Sequence, residues 1–395
     1  MTTPDYIPLL EATTIVMGQS PPGSTYNELG EGLPFFQGKA EFGEIHPTVK
    51  KWCSAPQRIA QPGDILMSVR APVGPTNIAD KQCCIGRGLA AIRAKTSHLY
   101  AGYLRFFLIH AEPLLASMGQ GSTFAAIGRA EIASLQIPLP SLDEQRRIVD
   151  LLSRAEGIVR LRREAQKKAA EVIPALFLDM FGDPAANPKG WPMMTLGEVI
   201  RRADYGSSTK ASEDATGLPM LRMGNVDSSG HLDLTTLKYV ALSPKDVARF
   251  RLEEGDLLFN RTNSKELVGK TGLWDSPALA IAASYFIRIR VREDIVRPFF
   301  LWAFMNTPFM KRVLFDTARG AIGQANINAQ ELRGFHVAVP DMPTQEAFEA
   351  RSRDMLAICA QQKVAADKSE STFGALLAGT FTTETSPDPF NHEAI

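Results

Sequence analysis

Cysteine is scarce in this sequence and never paired at metal-binding spacing: Cys53, Cys83, Cys84 and Cys359 form no C-x-x-C. That disfavours a structural zinc site and an exported disulfide framework alike, and leaves reduced, packing thiols. The histidines are scattered without ligand spacing. No apolar run approaches bilayer length, and "MTTPDYIPLL" has neither the cationic nor the long apolar region of a signal peptide. The chain is therefore expected in the cytoplasm, with no membrane partner. An excess of either charge is missing too, since Lys plus Arg and Asp plus Glu both number 43. This argues against a uniformly basic nucleic-acid binder, although a basic face can be balanced by acidic faces elsewhere.

Catalytic signatures are equally wanting. "VGKTG" hints at a phosphate loop, but Ser264 stands where the first glycine of G-x-x-x-x-G-K-T is required. "NTPF" approaches the N-P-P-F box of amino-methyltransferases, yet Thr307 replaces a proline and the stretch reads as a helix end. "SPPG" puts Gly23 where a stacking aromatic belongs, and no Asp or Glu is followed two residues later by Lys as in common nuclease cores. No catalytic residue, metal or bound cofactor is expected.

What the sequence does have is length and a faint internal repeat. At 395 residues, 45% hydrophobic and 22% charged, it reads as a folded chain of two or more domains. "GLPFF" (32–36) returns as "GLPML" (217–221), and "PGDILMS" (62–68) as "EGDLLFN" (254–260). The offset between copies changes, which implies loops of unequal length. From Pro140 it settles: Pro140 and Gln145 recur as Pro340 and Gln345, both at an offset of 340 − 140 = 200. Helices are thus the faithful part of the repeat.

Both junctions open long helices. Ser141 with Glu144 forms a capping box, and Thr344 is expected to cap the second. A seam in steps of three and four runs through Ile148, Leu152, Ala155, Val159, Arg162, Gln166, Ala169, Ile173, Leu176 and Met180. Its counterpart is Phe348, Ser352, Met355, Cys359, Gln362, Ala366, Ser369, Phe373, Leu376 and Thr380. Two such seams most simply bury each other, and the connectivity closes compactly only if the helices are antiparallel. Some 38 helical residues would span roughly 57 Å. Pro174, with Gly374 at the equivalent place, is expected to kink or end the helix. Arg162, Gln166 and Gln362, polar in mid-seam, are expected to fix register.

The predicted fold is α+β: two mixed α/β domains separated by a long antiparallel two-helix coiled coil, as a pseudo-twofold internal repeat. The expected boundaries are 1–141 for the first domain, 142–182 for the first spacer helix and 183–342 for the second domain, with 183–191 as a link. The second spacer helix is expected at 343–381 and a flexible tail at 382–395.

In order, "GQSPPGSTYN", "GLPFFQGKAEF", "PGDILMSVRAPVG", "CIGRGLAAI", "IPLPSLDEQRRI", "MFGDPAANPKGW" and the second "GDLLF" to "VPDMPTQE" half resemble the specificity subunit of type I restriction-modification systems. The second half departs from the pattern in placing Glu346 after Gln345. The resemblance implies a noncatalytic, sequence-specific DNA-binding subunit whose two target-recognition domains each read one part of a bipartite site. It implies that the helices bind two modification subunits carrying S-adenosylmethionine, and that restriction subunits using ATP and Mg2+ join them. Two readers on one face of a duplex should be spaced near whole turns of about 34 Å, and a helical rod would set that gauge. Alternatives are a related system with a fused methyltransferase-endonuclease partner, and a coiled-coil protein-binding scaffold.

Bases are read by forked donors and amides, phosphates by cations and hydroxyls. In the first domain the candidates are Gln19, Ser20, Gln37, Lys39, Arg70 and Arg87. In the second they are Tyr205, Ser207, Ser208, Arg222 and Asn225, with Asn260, Arg261, Asn263 and Lys265 from "NRTNSK". Asn326 and Asn328 read better as capping or turn residues.

Overall fold

A computed structural model describes residues 5–95, 97–119, 126–321 and 324–381. The chain divides into two compact units, Met1–Arg163 with Ala365–Ile395 and Glu164–Val364. Each has the same plan. In the first, an antiparallel sheet runs in the order Thr13–Met17, Leu89–Ala94, Ile65–Ser68, Thr76–Ile78; in the second, Ile200–Tyr205, Phe286–Val291, Leu257–Asn260, Thr271–Leu273. A second sheet in each contains one parallel pair, Leu33–Phe36 with Cys83–Ile85 and Leu218–Leu221 with Ile281–Ala282. Each unit also has a two-stranded ribbon, Tyr6–Pro8 with Gln136–Pro138 and Met193–Thr195 with His336–Ala338, and the second unit adds a three-stranded sheet of Thr262–Asn263, Gln324–Asn326 and Arg319–Ala321.

The Gly-Asp pair of the repeated "GD" motif has one physical task in both copies. Gly63 and Gly255 take φ of +85° and +89°, turning the chain into the central strand. The next residue, Asp64 or Asp256, is buried at 1% exposure. Its carboxylate accepts from a turn amide (Gln61 N, 2.8 Å; Glu253 N, 2.9 Å) and from an arginine on the neighbouring strand (Arg93 NH2, 2.7 Å; Arg290 Nε, 2.7 Å). A buried carboxylate is tolerable only when so paired.

The long helices are Leu142–Phe181 and Met342–Phe381. In the second unit Cys359 Sγ lies 3.7 Å from Ala169 O and Arg351 reaches Met180 Sδ at 4.0 Å, so the two helices run antiparallel. Of the kink or end expected at Pro174, the end does not occur: the first helix continues to Phe181. The proline faces out, while Ile173 and Phe177 on either side are buried in the second unit's core, and that packing carries the helix past the lost N–H bond. Ser141 caps the first helix through its Oγ to Glu144 N at 3.3 Å. The second is capped by Asp341, whose Oδ1 accepts from Thr344 N at 2.8 Å, and not by Thr344.

The recurring glutamines explain the repeated junction. Gln145 is fully buried: its Nε2 donates to His98 O (2.7 Å) and Pro140 O (2.9 Å), and its Oε1 accepts from Tyr100 N (2.8 Å). Gln345, equally buried, donates to Ile295 O (3.1 Å) and Pro340 O (2.8 Å) and accepts from Arg297 N (2.8 Å). Tyr100 and Arg297 are the N-caps of helices Ala101–His110 and Pro298–Met305. One amide thus pairs three otherwise orphaned backbone groups and fastens each long helix to the N-terminus of an earlier helix in its unit.

Along the seam Leu152, Val159, Ile173 and Phe348 are buried, and Ile148, Arg162, Gln166, Leu176, Met355, Gln362, Phe373 and Leu376 are half-buried. Past residues 173 and 373 the deepest positions become Phe177 and Phe181, and Leu377 and Phe381. The helix ends there reach into a domain core: Phe181 packs on Phe300 and on Phe348 of the facing long helix, and Phe381 on Tyr103, Phe107 and His110.

Candidate nucleic-acid interface

In the first unit four loops meet around the turn Gly86–Gly88. Gln19 N donates to Ile85 O (3.0 Å), Gly86 N to Phe36 O (2.8 Å), Gly88 N to Gln37 O (3.1 Å) and Val69 N to Gly88 O (2.9 Å). The approach is close enough to require glycine: a Cβ at Gly18 would stand 2.1 Å from Gly86 O, and one at Gly88 2.3 Å from Gln37 O. The hub gathers side chains distant in sequence. Gln19, Gln37, Lys39, Arg70 and Arg87 are exposed, and half-buried Ser20 holds the Arg87 Nε at 3.3 Å. The strand register puts Lys50, Lys51 and Arg58 at the same end, because Phe35 N bonds Lys51 O and Ile85 N bonds Arg58 O. All three are exposed. Sequence reading missed them; their only signal was position just before short strands.

The second unit builds a corresponding hub around Ala283–Tyr285 that shares three of these four bonds, with Ser284 N to Ser207 O in place of Gly88 N to Gln37 O. Ser207 N donates to Ala282 O (2.8 Å), Ala283 N to Leu221 O (3.0 Å), Ser284 N to Ser207 O (2.8 Å) and Arg261 N to Tyr285 O (3.0 Å). Even the outer bond is shared, Ile127 N to Val69 O in one unit and Ile327 N to Arg261 O in the other, both 3.0 Å. Tyr285, 44% exposed at the hub centre, was missed because this copy lacks the flanking glycines of "GRG".

The second set of candidates divides. Arg261 stacks its guanidinium over Tyr205, 4.7 Å from the ring centroid, and donates from NH2 to Asn326 Oδ1 at 3.4 Å. Exposed Lys265 lies 4.4 Å over the Phe315 ring, and half-buried Asn263 accepts from Ser264 N at 2.9 Å. Ser208 is exposed, whereas Ser207 is buried with its hydroxyl on Thr209 Oγ1 at 3.1 Å. Asn225 is also buried and its amide is internally engaged: Oδ1 accepts from Arg222 N (2.8 Å), and Nδ2 donates to Asp233 O (3.0 Å) and Thr236 O (3.1 Å). Glu41 does the corresponding work in the first unit, accepting from Gly38 N at 3.0 Å. Half-buried Arg222 and buried Asn260 sit at the hub; among the described residues the Arg222 Nε, the Arg261 Nε and both ends of the Asn260 amide find no partner. Asn328 caps helix Ala329–Arg333, and Asn306 of "NTPF" closes helix Pro298–Met305, donating to Thr271 O at 2.8 Å.

Two lysines near the second hub are turned inward. Lys270 donates to Met223 O (3.2 Å) and Val226 O, and Lys311 to Ser228 O. Burial lowers the pKa of both, with Asp227 acting in the opposite sense. They pin the loop that follows the parallel strand. Among the described residues no group of three or more His, Cys, Asp or Glu could hold a metal ion, and no helix is long and apolar enough to cross a membrane.

The family model for the type I restriction modification DNA specificity domain matches residues 48–171 and 188–348. The putative type I restriction enzyme MjaX specificity subunit of Methanocaldococcus jannaschii is 42% identical over 39% of this chain, and the match spans 36% of that relative. The EcoKI specificity subunit of Escherichia coli K12 is 22% identical over 89% of this chain and 76% of its own length. A solved type I restriction-modification S subunit from M. genitalium covers 98% of both chains with a TM-score of 0.54 at 14% identity, a likeness of fold.

Proposed function

The chain belongs to the type I restriction modification DNA specificity family, and from that premise we propose that it is the noncatalytic DNA-reading subunit of such a system. Each recognition domain reads one half of a bipartite site on double-stranded DNA. The observation that supports this most is the pair of equivalent hubs: one backbone arrangement, presenting Gln19, Gln37, Arg70 and Arg87 in one domain and Tyr205, Arg261 and Tyr285 in the other. A conserved frame with different side chains is what two readers of different bases need. Lys39, Lys50, Lys51 and Arg58 are the phosphate contacts of the first domain, and Lys265 of the second.

The long helices hold the readers at a set spacing and bind two modification subunits, which supply S-adenosylmethionine. Restriction subunits supply ATP and Mg2+ chemistry, and this chain works in the cytoplasm without a cofactor of its own. Arg261→Ala tests the reading. Binding to the native site, in the complex with the modification partner, should weaken about tenfold or more while binding to random DNA changes little. Equal loss on both DNAs would demote Arg261 to a phosphate contact.

A further inference from the structure

The Arg261 guanidinium is oriented before any ligand arrives. Its face is covered by the Tyr205 ring at 4.7 Å, and its NH2 is tied to Asn326 Oδ1 at 3.4 Å. Its backbone is clamped on both sides, N to Tyr285 O and O from Ile327 N, each at 3.0 Å. Tyr205 is itself fixed, its hydroxyl accepting from Ala329 N at 3.3 Å, and it stays 44% exposed. The guanidinium pairs with no carboxylate among the described residues. Two arginines of the adjoining sheet differ: Arg288 and Arg290 are bound to Asp204, Asp256 and Glu253.

Such an arrangement suits one kind of DNA contact better than another. A phosphate needs only charge nearby, and exposed cations such as Lys50 and Lys51 supply it. A planar fork whose rotamer freedom has already been given up gains most from a ligand that presents two acceptors in its plane at fixed separation. Among the base edges of the major groove, guanine alone does this, with O6 and N7.

Resting on the DNA-reading role above, we propose that Arg261 reads a guanine from its major-groove edge in the second domain's half-site, donating through NH1 and NH2. Tyr205 and Asn326 are positioning residues for that fork. The second domain's half-site therefore contains a guanine on one strand, whose identity depends on the acceptor pair. Arg87 in the first domain, whose guanidinium Nε donates to Ser20 Oγ at 3.3 Å, has no stacking ring among the described residues and is less constrained.

The test uses the full chain with its modification partner and duplexes carrying the site mapped from methylated positions in the host genome. Each guanine of the site is replaced in turn by 7-deazaguanine, which removes the N7 acceptor and leaves base pairing intact. One replacement should weaken wild-type binding about tenfold. That penalty should fall below about twofold in Arg261→Ala and Arg261→Lys, shrink in Asn326→Ala and Tyr205→Ala, and persist in Tyr205→Phe, which keeps the ring. Penalties at other guanines should be the same in all variants. A sequence-selective wild type with no guanine coupled to Arg261, or a site without guanine in the second half, overturns this inference alone; the wild-type scan decides even if a variant fails to fold. A wild type that prefers no sequence overturns the DNA-reading role and the inference together.

Discussion

The two halves of the chain agree where they hold themselves together and differ where they face outward. Gln145 and Gln345 make the same three hydrogen bonds, and Asp64 and Asp256 the same turn and arginine contacts. The four-stranded sheets share one strand order. At the hubs only the backbone agrees: Gly86-Arg87-Gly88 occupies the place of Ala283-Ser284-Tyr285, and Val69 that of Arg261. The lesson is a division of labour within one fold, in which backbone bonds fix a platform and leave the side chains above it free to vary.

That comparison can be broken most forcefully at the helix ends. Phe181→Ala and Phe381→Ala each empty an aromatic cluster and should cost about 4 kcal/mol in urea unfolding; a large loss for one and none for the other would mean the ends are not equivalent. Next come the latches. Gln145→Ala or Gln345→Ala strands three backbone groups and should cost about 3 kcal/mol, with amide exchange accelerated at Tyr100 in the first case and at Arg297 in the second. The buried aspartates sharpen the comparison. Asp256→Asn should cost about 2 kcal/mol and Asp64→Asn less, since Arg93 is 45% exposed against 22% for Arg290 and can regain water.

Acid titration probes a feature of the second half. Burial works against the charge of Asp227, but the His231 ring, its Nδ1 3.6 Å from the carboxylate, and hydrogen bonds from the amides of His231 and Ser229 prevail and hold its pKa at about 2, below the ordinary 3.8. A depressed carboxylate stabilises the fold above its unfolded pKa, and that contribution is lost as pH falls through about 2. Asp227→Asn should therefore flatten the decline of stability between those values; an unchanged acid limb would show the carboxylate to be uninvolved. The smallest effect is electrostatic. Each of Lys50→Ala, Lys51→Ala and Arg58→Ala should reduce the log–log salt slope of DNA binding by about 0.9 without altering sequence preference, and a changed preference would move that residue from phosphate to base.

The helices were legible in the sequence because a helix tolerates no insertion, so the 200-residue offset and the Pro-Gln spacing survive intact. The first hub was partly legible, since Arg87 between glycines marks a tight turn. The second was not: Ala283–Tyr285 has no turn signature, and its role follows only from strands that meet from four places in the sequence. Residue type also misled where chemistry is consumed internally. Asn225 resembles a base reader but closes a loop. At Pro174 packing of Ile173 and Phe177 outweighs the single hydrogen bond it removes, so of the expected kink or end the helix does not end there.

The central claim is that one hub reads each half of a divided site. Methylated positions mapped genome-wide, in cells carrying the chain and its modification partner, test it directly with Arg87→Ala and Arg261→Ala. The account predicts that each substitution relaxes base preference in one half only, a different half for each, with the spacing between halves unchanged. Relaxation of the same half by both, or of both halves by either, would contradict it.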